Sequence, residues 1–395
     1  MGIVNRVAGI LAPAVAVSNR GTGRKVVARR ERALGSAMKA LPVRAAMVRL
    51  LIVDDSALMR RELATLFEET GGYELRCARN GREAIAENMA FRPHVVVLDI
   101  DMPEMDGLSA LAEMLAQRPV PVVMLSSLTE PGALASFDAL TLGAVDYVAT
   151  PGITPTPPLD GIRDELISKV GTAVNARIDV PCIPACSTRL RPKPLSMPAM
   201  KRGEPGVVVI GVSTGGPRTL AEVLPALPAS FPWPVLVAQH MPGTFTRAFA
   251  QRLNELCALR VVEVASPMPI EAGTVYTGRG GADLVVISRA GMPMAVPRPE
   301  SPNQRCHPSV ERLARSVLEH WAPHQVIGVM LTGMGHDGVE AFHQLFQRGG
   351  LTIAEAEETA IVFGTPAELI RRGGASQVLP APRIADQLIA WTRSH

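Results

Sequence analysis

The stretch Val207–Pro217, Val-Val-Val-Ile-Gly-Val-Ser-Thr-Gly-Gly-Pro, constrains this chain more than any other. Its four leading β-formers read as a buried strand that Gly211 is expected to end. Gly215, Gly216 and Pro217 then impose a tight turn before a helical run over Arg218–Leu224. Strand, turn and helix in that order set Ser213 over the end of a sheet, beside the amide-rich start of a helix. Two chemistries use such a place. A phosphate-cradling loop of the dinucleotide type wants glycine at position 213. A nucleophile turn wants Gly-x-Ser-x-Gly, which Gly211, Ser213 and Gly215 supply. The motif alone leaves both open.

Downstream residues bear on the choice. A second strand candidate, Val235–Ala238, runs into Gln239-His240-Met241-Pro242, where a dinucleotide site should carry an acid for the ribose. A third, Val326–Leu331, runs into Thr332-Gly-Met-Gly-His-Asp337-Gly338. Ser213, His240 and Asp337 thus each follow the carboxyl end of a strand, where open α/β sheets build their sites. A serine, a base for its proton and a carboxylate to orient that base are the parts of a hydrolytic triad. The order Ser–His–Asp differs from the Ser–Asp–His of α/β-hydrolases, so another fold is expected. His336 is the rival base. It ranks lower because adjacent side chains on a tight turn point apart. His307, beside Pro308, can border the site; His320, His324, His343 and His395 read as surface or helix-face residues.

The chain has 395 residues, enough for two or three domains, and its 47% hydrophobic content can fill real cores. No apolar run reaches the ~18 residues of a membrane span. Aromatics at 4% are too few for nucleic-acid stacking platforms. The cysteines, Cys77, Cys182, Cys186, Cys257 and Cys306, are scattered and odd in number, which points to a reducing cytoplasm. Cys182 and Cys186 could pair on a metal, but no second pair follows. The net charge of +3 hides a division: residues 1–46 hold nine Lys or Arg and only Glu31 as an acid, leaving −5 for the rest. A basic nucleic-acid surface is therefore not expected of the folded part. The Arg-rich start is composed like a transit peptide. Met47 precedes the first strand candidate, so 1–46 is expected to be a disordered leader or not to be translated.

From 47 to 176 strands alternate with helical stretches, the pattern of a doubly wound parallel α/β domain. The strand candidates are Arg49–Val53, His94–Leu98, Val120–Leu125 and Val145–Val148, and Met59, Leu63, Leu66 and Phe67 form a helical stripe. Asp54, Asp55 and Asp99 then gather at one sheet edge. Like charges there are unfavourable unless a hard divalent cation such as Mg²⁺ offsets them.

These features, with the loop Asp99-Ile-Asp101-Met-Pro-Glu-Met-Asp-Gly107 and the strand-end Ser126, make residues 48–155 resemble a response-regulator receiver domain. The resemblance implies that Asp99 accepts a phosphoryl group from a histidine kinase. It also implies Mg²⁺ on Asp54, Asp55 and Asp99, with the backbone carbonyl of Asp101. Ser126 would bond the phosphoryl oxygen and Tyr147 would be the rotating switch aromatic. Thr150 departs from the family, which places lysine there. The segment 177–205 is Pro-rich and without apolar periodicity, a semi-rigid spacer that is either a hinge or a passive tether.

Residues 206–395 resemble the catalytic domain of chemotaxis protein-glutamate methylesterases. The three strand-end motifs carry the likeness in order, and it continues through Val275-Tyr276, Pro308-Ser-Val310 and Val362-Phe-Gly364. The implied fold is two doubly wound, mainly parallel α/β domains, a flavodoxin-like receiver and then a Rossmann-like three-layer domain. The implied activity is phosphorylation-regulated hydrolysis of glutamate methyl esters on the cytoplasmic helices of chemoreceptors, with glutamine deamidation at the same site. Backbone amides of Thr214 and Met334 would bind the oxyanion, and the esterase site would need no cofactor. A cytoplasmic monomer is expected, neither binding nucleic acid nor inserting into membrane, whose receiver inhibits the esterase until it is phosphorylated. Departures are the loop Tyr276–Asp283, which lacks the expected proline and histidine, Thr365 for methionine and Glu355 for glutamine. They bear on substrate fit more than on chemistry. The alternatives are a receiver-coupled serine hydrolase of another ester, and a phospho-switched binding protein with a dead triad.

Overall fold

The computed structural model describes residues 47–127, 129–150, 159–178, 205–302, 304 and 306–393. The leader 1–46, residues 179–204 of the spacer with Cys182 and Cys186, and His395 lie outside them.

The first sheet is built from β1 Val48–Val53, β2 Tyr73–Ala78, β3 Val95–Asp99, β4 Val122–Ser127 and β5 Asp146–Thr150, all parallel in the order β2-β1-β3-β4-β5. Its helices are α1 Ala57–Thr70, α2 Gly81–Ala90, α3 Gly107–Gln117, α4 Glu130–Leu142 and α5 Arg163–Ala173. Leu50–Val53 and Val95–Leu98 are fully buried, so helices cover both faces, as parallel sheets require. The direction of winding reverses between β1 and β3, which puts a crevice at their carboxyl ends. β2 was not anticipated. It is an edge strand whose Tyr-Glu-Leu-Arg-Cys-Ala alternates half-buried and exposed positions, and it lacks the apolar run of its neighbours.

The second part opens with β6 Val207–Val212, α6 Gly216–Val223, β7 Val235–Gln239 and α7 Gly243–Leu256. It continues through β8 Arg260–Val264, β9 Met268–Pro269, β10 Thr274–Gly278, β11 Ala282–Arg289, β12 Met292–Pro299 and α8 Val310–Leu318. It closes with β13 Val326–Met330, α9 Val339–Gln347, β14 Leu351–Glu355, α10 Thr365–Arg371, β15 Gln377–Leu379 and α11 Ala381–Arg393. Seven strands form one parallel sheet, β15-β14-β13-β6-β7-β10-β8. β11, β12 and β9 form a separate antiparallel sheet. Val208, Ile210 and Val212 of β6 join one apolar cluster and Val207 and Val209 another, so this central strand is packed on both faces. Gly211 does not end β6, contrary to expectation. It lies inside the strand, where a Cβ would come within 2.3 Å of Val310 Cγ1. Among the described residues no helix is long and apolar enough to cross a membrane.

Candidate active site

β13, β6 and β7 lie side by side, and their carboxyl ends deliver Asp337, Ser213 and His240 to one crevice. The turn after β6 is tight: Ser213 donates its N–H to Thr332 O at 3.0 Å, and Gly215 caps α6 at φ 79°. The loop after β13 presses close, since a Cβ on Gly333 would sit 2.6 Å from Ser213 Cβ. His240 Nδ1 is 3.0 Å from Ser213 Oγ, and Nε2 is 2.8 Å from Asp337 Oδ2. A carboxylate only accepts, so Nε2 carries the hydrogen and Nδ1 faces the serine with a lone pair. His336 is exposed and its ring has no such partners among the described residues.

Asp337 is held by more than the histidine. Its Oδ1 accepts the Ser309 hydroxyl and the Glu311 N–H, both at 3.0 Å, and its Oδ2 accepts the Val310 N–H at 2.7 Å. These donors are the amino end of α8, where amides and macrodipole favour an anion. Burial opposes the charge, but His240 and these amides outweigh it and hold the carboxyl below its ordinary range. Asp283 grips the same segment from the other side. It accepts from His307 Nδ1 at 2.8 Å, Ser309 N–H at 2.7 Å and Arg312 Nη1 at 2.6 Å. The sequence reading placed none of the triad's support on Ser309 or Asp283. The usable signal was Pro308-Ser-Val310, a capping residue ahead of a helical stripe.

Burial works against the charged imidazole of His240, but the Asp337 bond and the Cys306 sulfur beside the ring favour it. The balance raises its pKa. Thr214 follows the serine in sequence and Met334 follows Gly333, which abuts it, and among the described residues neither amide has an acceptor. Met334 is half exposed. The space enclosed at the trio is about 10 Å³, lined by Val212, Leu331 and Thr365 with Ser213, His240 and Asp337. A larger hollow of about 340 Å³ between α7 and β8 lies elsewhere.

At the other crevice, carboxylate oxygens of Asp54, Asp55 and Asp99 lie within 4.8 Å of one another. Burial, then the field of Asp54, pushes Asp99 up to about 8; burial likewise raises Asp54 to about 6. Asp101 is exposed and outside the trio. Arg60 Nη1 donates to the carbonyls of Asp54 and Asp55 at 2.7 and 3.0 Å. Ser126 is buried, with its hydroxyl on Gly132 O at 2.9 Å rather than offered to Asp99. Thr150 donates to Ser126 O at 3.1 Å. Lys169 is the sole described lysine and serves elsewhere, bonding Tyr147 O at 2.6 Å and pairing with Asp146 and Glu165.

Elements of the two parts are in contact. Tyr147 is buried, its hydroxyl lacks a partner, and its ring lies 4.5 Å from Phe245 on α7. Phe137 of α4 meets Phe249 at 5.9 Å, and Asp138 meets Arg252 at 3.6 Å. The α5 residue Thr172 donates its hydroxyl to Met334 Sδ at 3.0 Å, and Arg177 N–H bonds Ile361 O at 3.1 Å.

Comparison with known proteins agrees with this division. Residues 50–153 match the response regulator receiver domain and residues 208–388 the CheB methylesterase family. A protein-glutamate methylesterase/protein-glutamine glutaminase of Rhodospirillum rubrum is 50% identical over 87% of this chain and 96% of its own. One from Rhodopseudomonas palustris is 48% identical over 87% of this chain and 98% of its own. The crystal structure of the Thermotoga maritima CheB methylesterase catalytic domain is 37% identical, covering 47% of this chain and 98% of that one, with a TM-score of 0.46.

Proposed function

The chain belongs to the protein-glutamate methylesterase/protein-glutamine glutaminase family, and from that premise we propose that it hydrolyses glutamate methyl esters on chemoreceptors under the control of phosphorylation. The observation that carries the reading is the hydrogen-bonded series Ser213–His240–Asp337 at adjoining strand ends.

Ser213 Oγ attacks the ester carbonyl while His240 Nδ1 takes its proton. Asp337 fixes the Nε2–H tautomer and stabilises the imidazolium. The oxyanion forms beside the unpaired amides of Thr214 and Met334. His240 then returns the proton to the departing methoxide, and methanol leaves. Water, deprotonated by the same imidazole, releases the carboxylate. A glutamine side chain passes through the same tetrahedral intermediate, so deamidation belongs to the same site.

The acid trio suits Mg²⁺, since three hard oxygens converge where burial disfavours their charge. Asp54, Asp55 and Asp99 would hold it, with the carbonyl of Asp101, and it would supply charge neutralisation for the phosphoryl group. Asp99 is the phosphoacceptor, with a histidine kinase as donor. Ser126 leaves Gly132 for the phosphoryl oxygen, and Tyr147, packed on Phe245, carries the change to α7. The partners are then methylated receptor helices and a kinase, and the protein works as a cytoplasmic monomer.

Methanol release from methylated receptor, compared between native protein and Ser213→Ala, tests the reading. Release by native protein alone supports it. Turnover confined to other esters leaves a receiver-coupled hydrolase. Receptor binding without turnover leaves a binding protein with an idle triad.

A further inference from the structure

One buried acid has no part in that mechanism. Glu355 ends β14 and is wholly inaccessible to solvent. Its Oε2 accepts the Thr332 N–H at 2.8 Å, and its Oε1 accepts the Thr359 hydroxyl at 3.0 Å. No cation pairs with it among the described residues. Thr332 is also the point from which the nucleophile hangs. Its carbonyl holds Ser213 N–H at 3.0 Å, and its hydroxyl donates to Thr214 O and accepts Val362 N–H, both at 2.9 Å. Glu355 therefore grips one side of residue 332, and the nucleophile turn grips the other. A glutamine could keep the Thr332 bond through its carbonyl oxygen and meet Thr359 with the bond reversed, its NH2 donating to Oγ1, without a buried charge. What only the carboxylate adds is a charge-assisted bond, roughly twice as strong as a neutral one.

We propose that Glu355 is a positioning residue for Ser213, whose ionised carboxylate locks Thr332 and the nucleophile turn, so that turnover weakens when Glu355 takes up a proton. This rests on the esterase reading above and deepens it.

Burial pushes Glu355 up to about 7; the bonds from Thr332 and Thr359 pull against this, and the field of Glu222 on α6 adds to it. Of the elements packed on β14, the strands β13 and β15 bring no charged side chain. The described charged side chains of α10 and α11 sit in surface pairs, Arg371 and Arg372 with Glu368 and Arg383 with Asp386; on α9, Glu340 pairs with Arg372 and His343 bonds Gln347. When protonated, Glu355 can donate to Thr359 Oγ1, which also accepts from Ala381 N–H at 3.0 Å. The network survives, but the bond to Thr332 becomes a neutral one.

The test is methanol release by the full chain, with Mg²⁺ and a small phosphodonor, for native protein and Glu355→Gln across pH. Comparing the two cancels the titration of His240. The native-to-variant ratio should rise about five-fold between about pH 5.5 and about pH 8.5, with its midpoint near 7. Thermal melting gives an independent readout. An acid whose folded pKa is raised stabilises the fold through its proton below its unfolded value, and that stability is lost as pH rises through about 7. Glu355→Gln should therefore melt higher than native at about pH 8.5 and level with it well below the unfolded value of about 4.3. A flat activity ratio overturns the proposal, whether or not the melting difference titrates. So does a ratio that rises while the melting difference stays constant, because another group is then titrating. If native protein releases no more methanol than Ser213→Ala, the esterase reading fails and this inference falls with it.

Discussion

His240 meets Ser213 through Nδ1 and Asp337 through Nε2, the reverse of the ring assignment in the serine-protease template. The chemistry tolerates this, because each role needs only one lone pair and one N–H. Ser213→Ala and His240→Ala should each lower kcat by about 10³–10⁶, since triad members act as a unit, and Asp337→Asn should lose less than either. Turnover by His240→Ala equal to native would pass the base role to His336. Because the pKa of His240 is raised, the imidazole needed as base is depleted as pH falls, so kcat/KM should climb with pH above the ordinary value of about 6.5. Asp337→Asn removes the main stabiliser of the imidazolium and should move that limb to lower pH. A pH–rate profile of both proteins decides this. The trio was legible because strand ends are visible as apolar runs closed by polar residues. Ser309 and Asp283 were not, because Ser309 holds the Asp337 carboxylate and Asp283 the Ser309 N–H across 28 and 26 residues of sequence, and no local pattern encodes such a pairing.

At the scale of elements, α4 meets α7 through Phe137 and Phe249, β5 meets it through Tyr147 and Phe245, and α5 reaches Met334. The α5 contact falls on Met334, in the loop that follows β13 to Asp337, so these contacts suit restraint of the unphosphorylated protein. Phe245→Ala removes the ring against Tyr147 and, by loosening β5 from α7, should raise methylesterase activity several-fold without phosphodonor; unchanged or lower basal activity counts against that restraint. A chain starting near Gly206 should likewise outpace the unphosphorylated full-length protein on methylated receptor, and equal rates would end the inhibition idea. The central strands were readable as apolar runs, each displaced by a residue or two. β2 and the antiparallel β11–β12 pair were not readable. One is a polar edge, and the other carries Pro293, Pro297 and Pro299, which argue against a strand unless its edges and pairing are known.

Across the whole molecule, one apolar cluster runs from Leu51 and Val53 of the first sheet to Val208 and Ile210 of the second, so a shift at one crevice has packed material through which to travel. The phosphoryl group adds roughly −1.5 to −2 charges to a site already rich in carboxylates. Thr150 brings only a neutral donor, and Lys169 is tied to Asp146 and Glu165. Thr150→Lys should therefore increase esterase stimulation by a small phosphodonor at matched phosphorylation, and no gain would show that the cationic role is filled or unneeded. The catalytic constellation also has a direction in time. Ser213 and His240 stand 27 residues apart, but His240 waits another 97 for Asp337. During synthesis the amino-terminal part can fold and acquire a phosphoacceptor long before β13 threads in beside β6. If Asp99 is the phosphoacceptor, a nascent or prematurely terminated chain ending between His240 and Asp337 would take up phosphoryl groups with no hydrolytic output, so translation errors here would damp the signal rather than merely dilute the enzyme.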